Sequence, residues 1–105
     1  MIVRIVKMVF REAEVPAFLE LFEARRSLIR QFEGCTHLEL WRDKFHPNTF
    51  FTYSWWDSEE YLEAYRNSRF FEDTWQLTKQ KFAARAEAWT VERIDAAGMP
   101  GPQAN

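Results

Sequence analysis

The chain has 105 residues, a length for one domain with one modest core. Its 14 basic and 16 acidic residues give a formal charge of −2, and the basic ones are dispersed, which argues against a phosphate-tracking surface and so against a nucleic-acid partner. No stretch approaches a membrane span, and the single cysteine, Cys35, excludes an internal disulfide and leans towards the cytoplasm.

Residues 2–10 are rich in Val and Ile, whose branching at Cβ favours extended backbone. Ile2, Val6, Met8 and Phe10 fall on one face of such a strand, and Val3, Ile5 and Val9 on the other. A strand apolar on both sides is a central one. Arg4 and Lys7 inside the run, and the lack of a small-residue cleavage site, argue for a strand over a signal peptide. Pro16 suits the first turn of a helix. Val15, Phe18, Leu19, Phe22, Ile29 and Phe32 then recur at helical spacing, with Glu20, Glu23, Arg26 and Arg30 off the stripe. Gly34 stops this helix, because glycine tolerates the left-handed conformation.

Residues 35–43 read as an edge strand, with Leu38 and Leu40 on one side and His37, Glu39 and Trp41 on the other. A hairpin at His46-Pro47-Asn48 leads to a strand over 49–56. Its two faces, Thr49, Phe51, Tyr53, Trp55 and Phe50, Thr52, Ser54, Trp56, both carry aromatics. Asp57 with Glu60 predicts a capping box, opening a short helix with Tyr61, Leu62 and Tyr65. Ser68 predicts the cap of another helix, with Phe71, Trp75, Thr78 and Phe82 on one face. The last strand spans about 87–95, and residues 96–105 read as a frayed tail after a single domain over 1–95.

The order β-α-β-β-α-β is the split βαβ, or ferredoxin-like, pattern of the α+β class, with an antiparallel sheet. Helices cover only one sheet face in that fold, yet strands one and three are apolar on both. A second copy packed sheet to sheet is the economical cover, so the patterning predicts a homodimer.

The chain resembles the antibiotic biosynthesis monooxygenase domain of the dimeric α/β-barrel superfamily over roughly residues 2–95. The resemblance rests on Glu33-Gly34-Cys35, Leu38-Glu39-Leu40, Pro47-Asn48, Tyr53, Trp56-Asp57-Ser58-Glu59 and the Ser68–Phe71 segment. It implies homodimers with one pocket per subunit between helices and sheet. The family's members include cofactor-free oxygenases of phenols or quinols, haem-degrading enzymes and sugar-phosphate isomerases. Most carry a histidine where this chain has Tyr65. The haem-degrading branch's Asn, Trp and ligating His align with Lys7, Tyr65 and Trp75, and an indole does not ligate iron as imidazole does.

The resemblance therefore implies a monooxygenase that needs neither metal nor organic cofactor and acts on a small aromatic, phenolic or quinol-like substrate. A non-catalytic dimeric binding or interaction module is the alternative. Such an oxygenase needs a base, an oxyanion partner and a dry aromatic pocket. His37 is the expected base, since imidazole titrates near neutrality; an ordinary edge-strand histidine is the other reading. Tyr65 is expected to donate to a substrate oxygen, or else to be a core tyrosine whose hydroxyl reaches the surface. Lys7 either stabilises a phenolate or lays its stem along the sheet with its ammonium in water. Trp41, Tyr53, Trp56 and Trp75 are pocket walls or core. His37 and Glu39 lack a third metal ligand, and the three glycines leave no phosphate loop.

Overall fold

Cβ branching keeps the first run extended. In the computed structural model, which describes residues 1–98, it forms β1 (Ile2–Val9). A 3-10 turn at Glu12–Glu14 leads into helix α1 (Val15–Arg30), with its proline in the first turn. Strands β2 (Cys35–Arg42) and β3 (Thr49–Trp56) follow, then helices α2 (Glu59–Arg66) and α3 (Arg69–Lys79), then β4 (Glu87–Glu92). The sheet is antiparallel with order β2-β3-β1-β4, so β1 and β3 are its interior strands and β2 an edge, as their patterning predicts.

Several boundaries differ from the sequence reading. Helix α1 ends at Arg30, four residues before Gly34, and Gly34 (φ 87°) instead closes the turn into β2. A Cβ there would run into the Tyr61 ring, so glycine is required twice over. The cap of α2 is Ser58, not Asp57: its hydroxyl accepts the Tyr61 N–H, and Tyr61 rather than a glutamate sits three residues on. Ser68 caps α3 as expected, accepting the Phe71 N–H at 3.0 Å. Phe82 lies beyond α3, where its backbone bridges to Phe10. Strand β4 stops at Glu92, leaving Ile94 outside and fully in solvent; residues 99–105 of the expected tail lie outside the described residues.

The helices cover one sheet face, and two packed clusters sit under them. Met8, Phe10, Phe18 and Phe50 form one, with Phe10 stacked on Phe18 at 4.1 Å between ring centres. Cys35, Trp56 and Leu62 form the other. Between the two, the β3 side chains on this face shrink to Thr52 and Ser54. Small residues between Phe50 and Trp56 leave the sheet uncovered there, and that gap is where a cavity opens.

Candidate functional site

Register decides which side chains share a face, because opposed residues in an antiparallel pair point the same way. Arg4 lies opposite Ser54 on β3 and opposite Thr90 on β4. This rung, with Val6, Met8, Thr52 and Trp56, belongs to the helix-covered face. Lys7 lies opposite Phe51 and Glu87, while His37, Glu39 and Trp41 lie opposite Trp55, Tyr53 and Phe51. These belong to the open face.

The cavity measures about 320 Å³. The sheet supplies its floor through Arg4, Val6, Thr52, Ser54, Trp56 and Ala88; α1 adds Phe18, Phe22 and Ile29. Its other wall is Leu62, Tyr65, Arg66, Phe71, Thr74, Trp75 and Thr78, from α2 and α3. Tyr65 stacks on Trp56 at 5.0 Å and meets Phe71 edge-on at 5.0 Å, so one aromatic seam runs from the sheet to α3. Phe71 in turn lies parallel to Trp75 at 6.0 Å. Arg25 ties α1 to α3 over this wall through Thr74 Oγ1 (2.6 Å) and Asp73 (3.3 Å).

The polar groups here are few. The Trp56 indole donates to Ser54 Oγ at 3.0 Å, and Arg4 Nη1 donates to Thr90 Oγ1 at 2.7 Å. Burial, followed by the neighbouring Arg66 charge, lowers the proton affinity of Arg4, with Glu63 acting the other way; the guanidinium remains a cation. Burial pushes the Tyr65 hydroxyl far above its ordinary range, with a smaller push from Cys35. Tyr65 is therefore a neutral donor and not a base. The Cys35 thiol is also pushed up by burial, which suits packing and not nucleophilic attack.

Of the residues singled out by sequence, Tyr65, Trp56 and Trp75 converge on this cavity. Lys7, His37, Trp41 and Tyr53 do not; they lie together across the sheet. There Trp41 stacks on Tyr53 at 4.5 Å and His37 lies 4.4 Å from the Trp55 ring. His37 bonds the Glu39 carboxylate, which also accepts the Trp41 indole N–H at 2.6 Å. Those two bonds, His37 first, hold the Glu39 carboxyl below its usual range. Lys7 reaches Glu87 at 3.9 Å with its amine partly in solvent, the snorkelling arrangement. His37 and Tyr65, expected as a catalytic pair, are thus on opposite faces of the sheet. Among the described residues no three His, Cys, Asp or Glu side chains gather as a metal-holding group, and no helix is long and apolar enough to cross a membrane.

Sequence reasoning missed Arg4 and Ser54. A signal was present in Phe50, Thr52, Ser54 and Trp56, a large-small-small-large series on one face, which marks a gap between two packed ends. Arg4 belongs to the facing set that begins at Ile2.

The fold recurs in known structures. A putative antibiotic biosynthesis monooxygenase from Deinococcus radiodurans superposes with a TM-score of 0.85 at 15% identity, over 96% of this chain and all of that one. A conserved protein from Methanosarcina mazei Go1 gives 0.83 at 18% identity, over 89% of this chain and 93% of that one. A further structure, described as antibiotic biosynthesis monooxygenase, gives 0.84 at 16% identity, over 90% and 100%. No curated protein matches the chain. The family model for antibiotic biosynthesis monooxygenases matches residues 1–76, and the chain belongs to that family.

Proposed function

We propose that this protein is a homodimeric monooxygenase needing no metal or organic cofactor, and that it oxidises a small phenolic or quinol-like compound in the cavity between the sheet and helices α2 and α3. The observation that carries the reading is the cavity itself: about 320 Å³, walled by Trp56, Tyr65, Phe71 and Trp75, and near the lower end of small-molecule sites. The cavity lining holds no imidazole base, so the substrate enters as the anion it forms by losing its proton to solvent. That anion reduces triplet oxygen, and a new C–O bond forms at a ring C–H carbon. One oxygen atom then stays as a carbonyl while the other leaves in water. The protein's part is to hold the ring dry between aromatic walls and to meet its oxygen with a donor. Tyr65, kept neutral by burial, is that donor.

The homodimer is supported by the open sheet face, where Trp41 (39% exposed), Trp89 (43%) and Val91 (42%) lie in solvent beside Phe51, Tyr53 and Trp55. An apolar patch of that make-up marks an interface.

A second reading, a non-catalytic binding module, is favoured by one observation: the cavity lining contains no imidazole. Oxygen uptake with dihydroxynaphthalenes, anthrones and menadiol separates the two. The oxygenase gives uptake above buffer autoxidation that survives chelator treatment. Tyr65→Phe then lowers it by roughly tenfold, the scale of one lost hydrogen bond to a charged oxygen, and His37→Ala leaves it near wild type. Uptake at the buffer's own rate across the panel, with saturable quenching of Trp fluorescence, makes the protein a binding module instead.

A further inference from the structure

The rung Ser54–Arg4–Thr90 places a cation without a direct ion-pair partner at the cavity floor. Arg4 has five N–H donors in a planar fork, and its bond to Thr90 occupies one of them. The nearby carboxylates make their ion pairs with other cations: Glu63, whose charge also reaches Arg4, with Arg66 at 2.9 Å, and Glu87 with Lys7 at 3.9 Å. Among the described residues none comes within ion-pair distance of Arg4. The guanidinium is half-buried beside an apolar cavity, where a carboxylate would gain a charge-assisted hydrogen bond. Ser54, directly opposite Arg4, has its oxygen occupied by the Trp56 indole proton, so its own hydroxyl proton is free to point into the cavity.

We infer that the ligand of this cavity is a flat aromatic compound of one or two rings bearing a carboxylate, and that Arg4 and Ser54 seat the carboxylate while Trp56, Tyr65 and Trp75 hold the rings. The charge balance selects a monoanion, since Arg66 is already paired and only the Arg4 charge is open. The planar fork matches the two oxygens of a carboxylate. This inference rests on the cavity as the small-molecule site, as proposed above, and does not require that the bound compound be oxidised.

The test is a fluorescence and calorimetric titration of the full chain with 2-naphthoate and 2-naphthamide, which share rings and shape and differ in charge. Wild type binds one naphthoate per chain, about tenfold or more tighter than naphthamide, the scale of a charged hydrogen bond. Arg4→Gln brings the two probes to within roughly twofold of each other while its naphthamide affinity stays near wild type, which also shows that the cavity is intact. Arg4→Lys, which keeps the charge and loses the fork, retains part of the preference and serves if Arg4→Gln does not fold. Ser54→Ala weakens naphthoate more than naphthamide. Equal affinities in wild type, or a preference that survives Arg4→Gln, overturns the seat and leaves the cavity reading standing. Binding of neither probe overturns the cavity reading and the seat with it.

Discussion

The two faces of the sheet are built from the same four strands and differ by one residue of parity, yet they carry opposite physics. On the helix-covered face, Thr52 and Ser54 line the cavity beside Arg4, with large side chains packed tightly at both ends. Across the sheet the aromatics are broad and partly exposed, and the polar groups satisfy one another: His37 with Glu39, Lys7 with Glu87. The covered face leaves a cation and a void open; the open face leaves surface open. A small molecule answers the first need and a second protein surface answers the second.

Substitutions at adjacent positions of β3 break the comparison most directly. Phe50 is 2% exposed and packs on Phe10 and Phe18, so Phe50→Ala removes core and destabilises the protomer by about 3–5 kcal/mol. Phe51, one residue away, faces the other side. Phe51→Asp leaves the protomer folded by circular dichroism and, if the proposed homodimer forms through this face, gives monomer in sedimentation velocity where wild type gives dimer. If Phe51→Asp unfolds the protomer as Phe50→Ala weakens it, the two faces are not independent.

The second prediction concerns alkaline stability. Tyr65 keeps its proton in the folded state to a higher pH than the unfolded chain does. Above the ordinary tyrosine pKa of about 10 the unfolded state has lost a proton that the folded state retains, so stability falls as pH rises. The Tyr65 contribution is fully present below that pH and falls by up to about 1.4 kcal/mol per pH unit above it. Denaturant unfolding between pH 9 and 11 shows a steeper loss for wild type than for Tyr65→Phe. Parallel slopes for the two proteins remove Tyr65 from the buried wall.

The smallest effect belongs to the open face. Lys7 and Glu87 are each more than a third exposed and 3.9 Å apart, so Glu87→Gln shifts unfolding free energy by no more than about 1 kcal/mol. A larger loss in chemical denaturation shows that this pair is buried by something the single chain lacks.

Much of this organisation was legible in the sequence. The order of elements along the chain, the interior position of β1 and β3, and the Ser68 cap follow from alternation and from residues that bond free helix N–H groups. The cap sits one residue later than the expected capping box and without its glutamate, because Asp57 and Ser58 are both good caps and backbone geometry chooses between them. The site was harder. Alternation sorted His37, Glu39 and Trp41 from Leu38 and Leu40, but β1 and β3 are apolar on both sides. Nothing local says which set meets the helices, so alternation alone does not separate Lys7 and His37 from Tyr65 and Trp75, which lie across the sheet from them. Arg4 was passed over because a cation early in a strand reads as a solvated residue until register puts Ser54 and Thr90 beside it.

The five tryptophans divide between the faces: Trp56 and Trp75 at the cavity, Trp41, Trp55 and Trp89 on the open side. Their indole N–H resonances in a proton–nitrogen correlation spectrum, followed during titration with 2-naphthol, read the faces separately. If the cavity is the small-molecule site, the Trp56 and Trp75 signals shift and saturate together while those of Trp41, Trp55 and Trp89 stay in place. Saturable shifts confined to Trp41, Trp55 and Trp89 contradict the assignment and put the ligand on the open face.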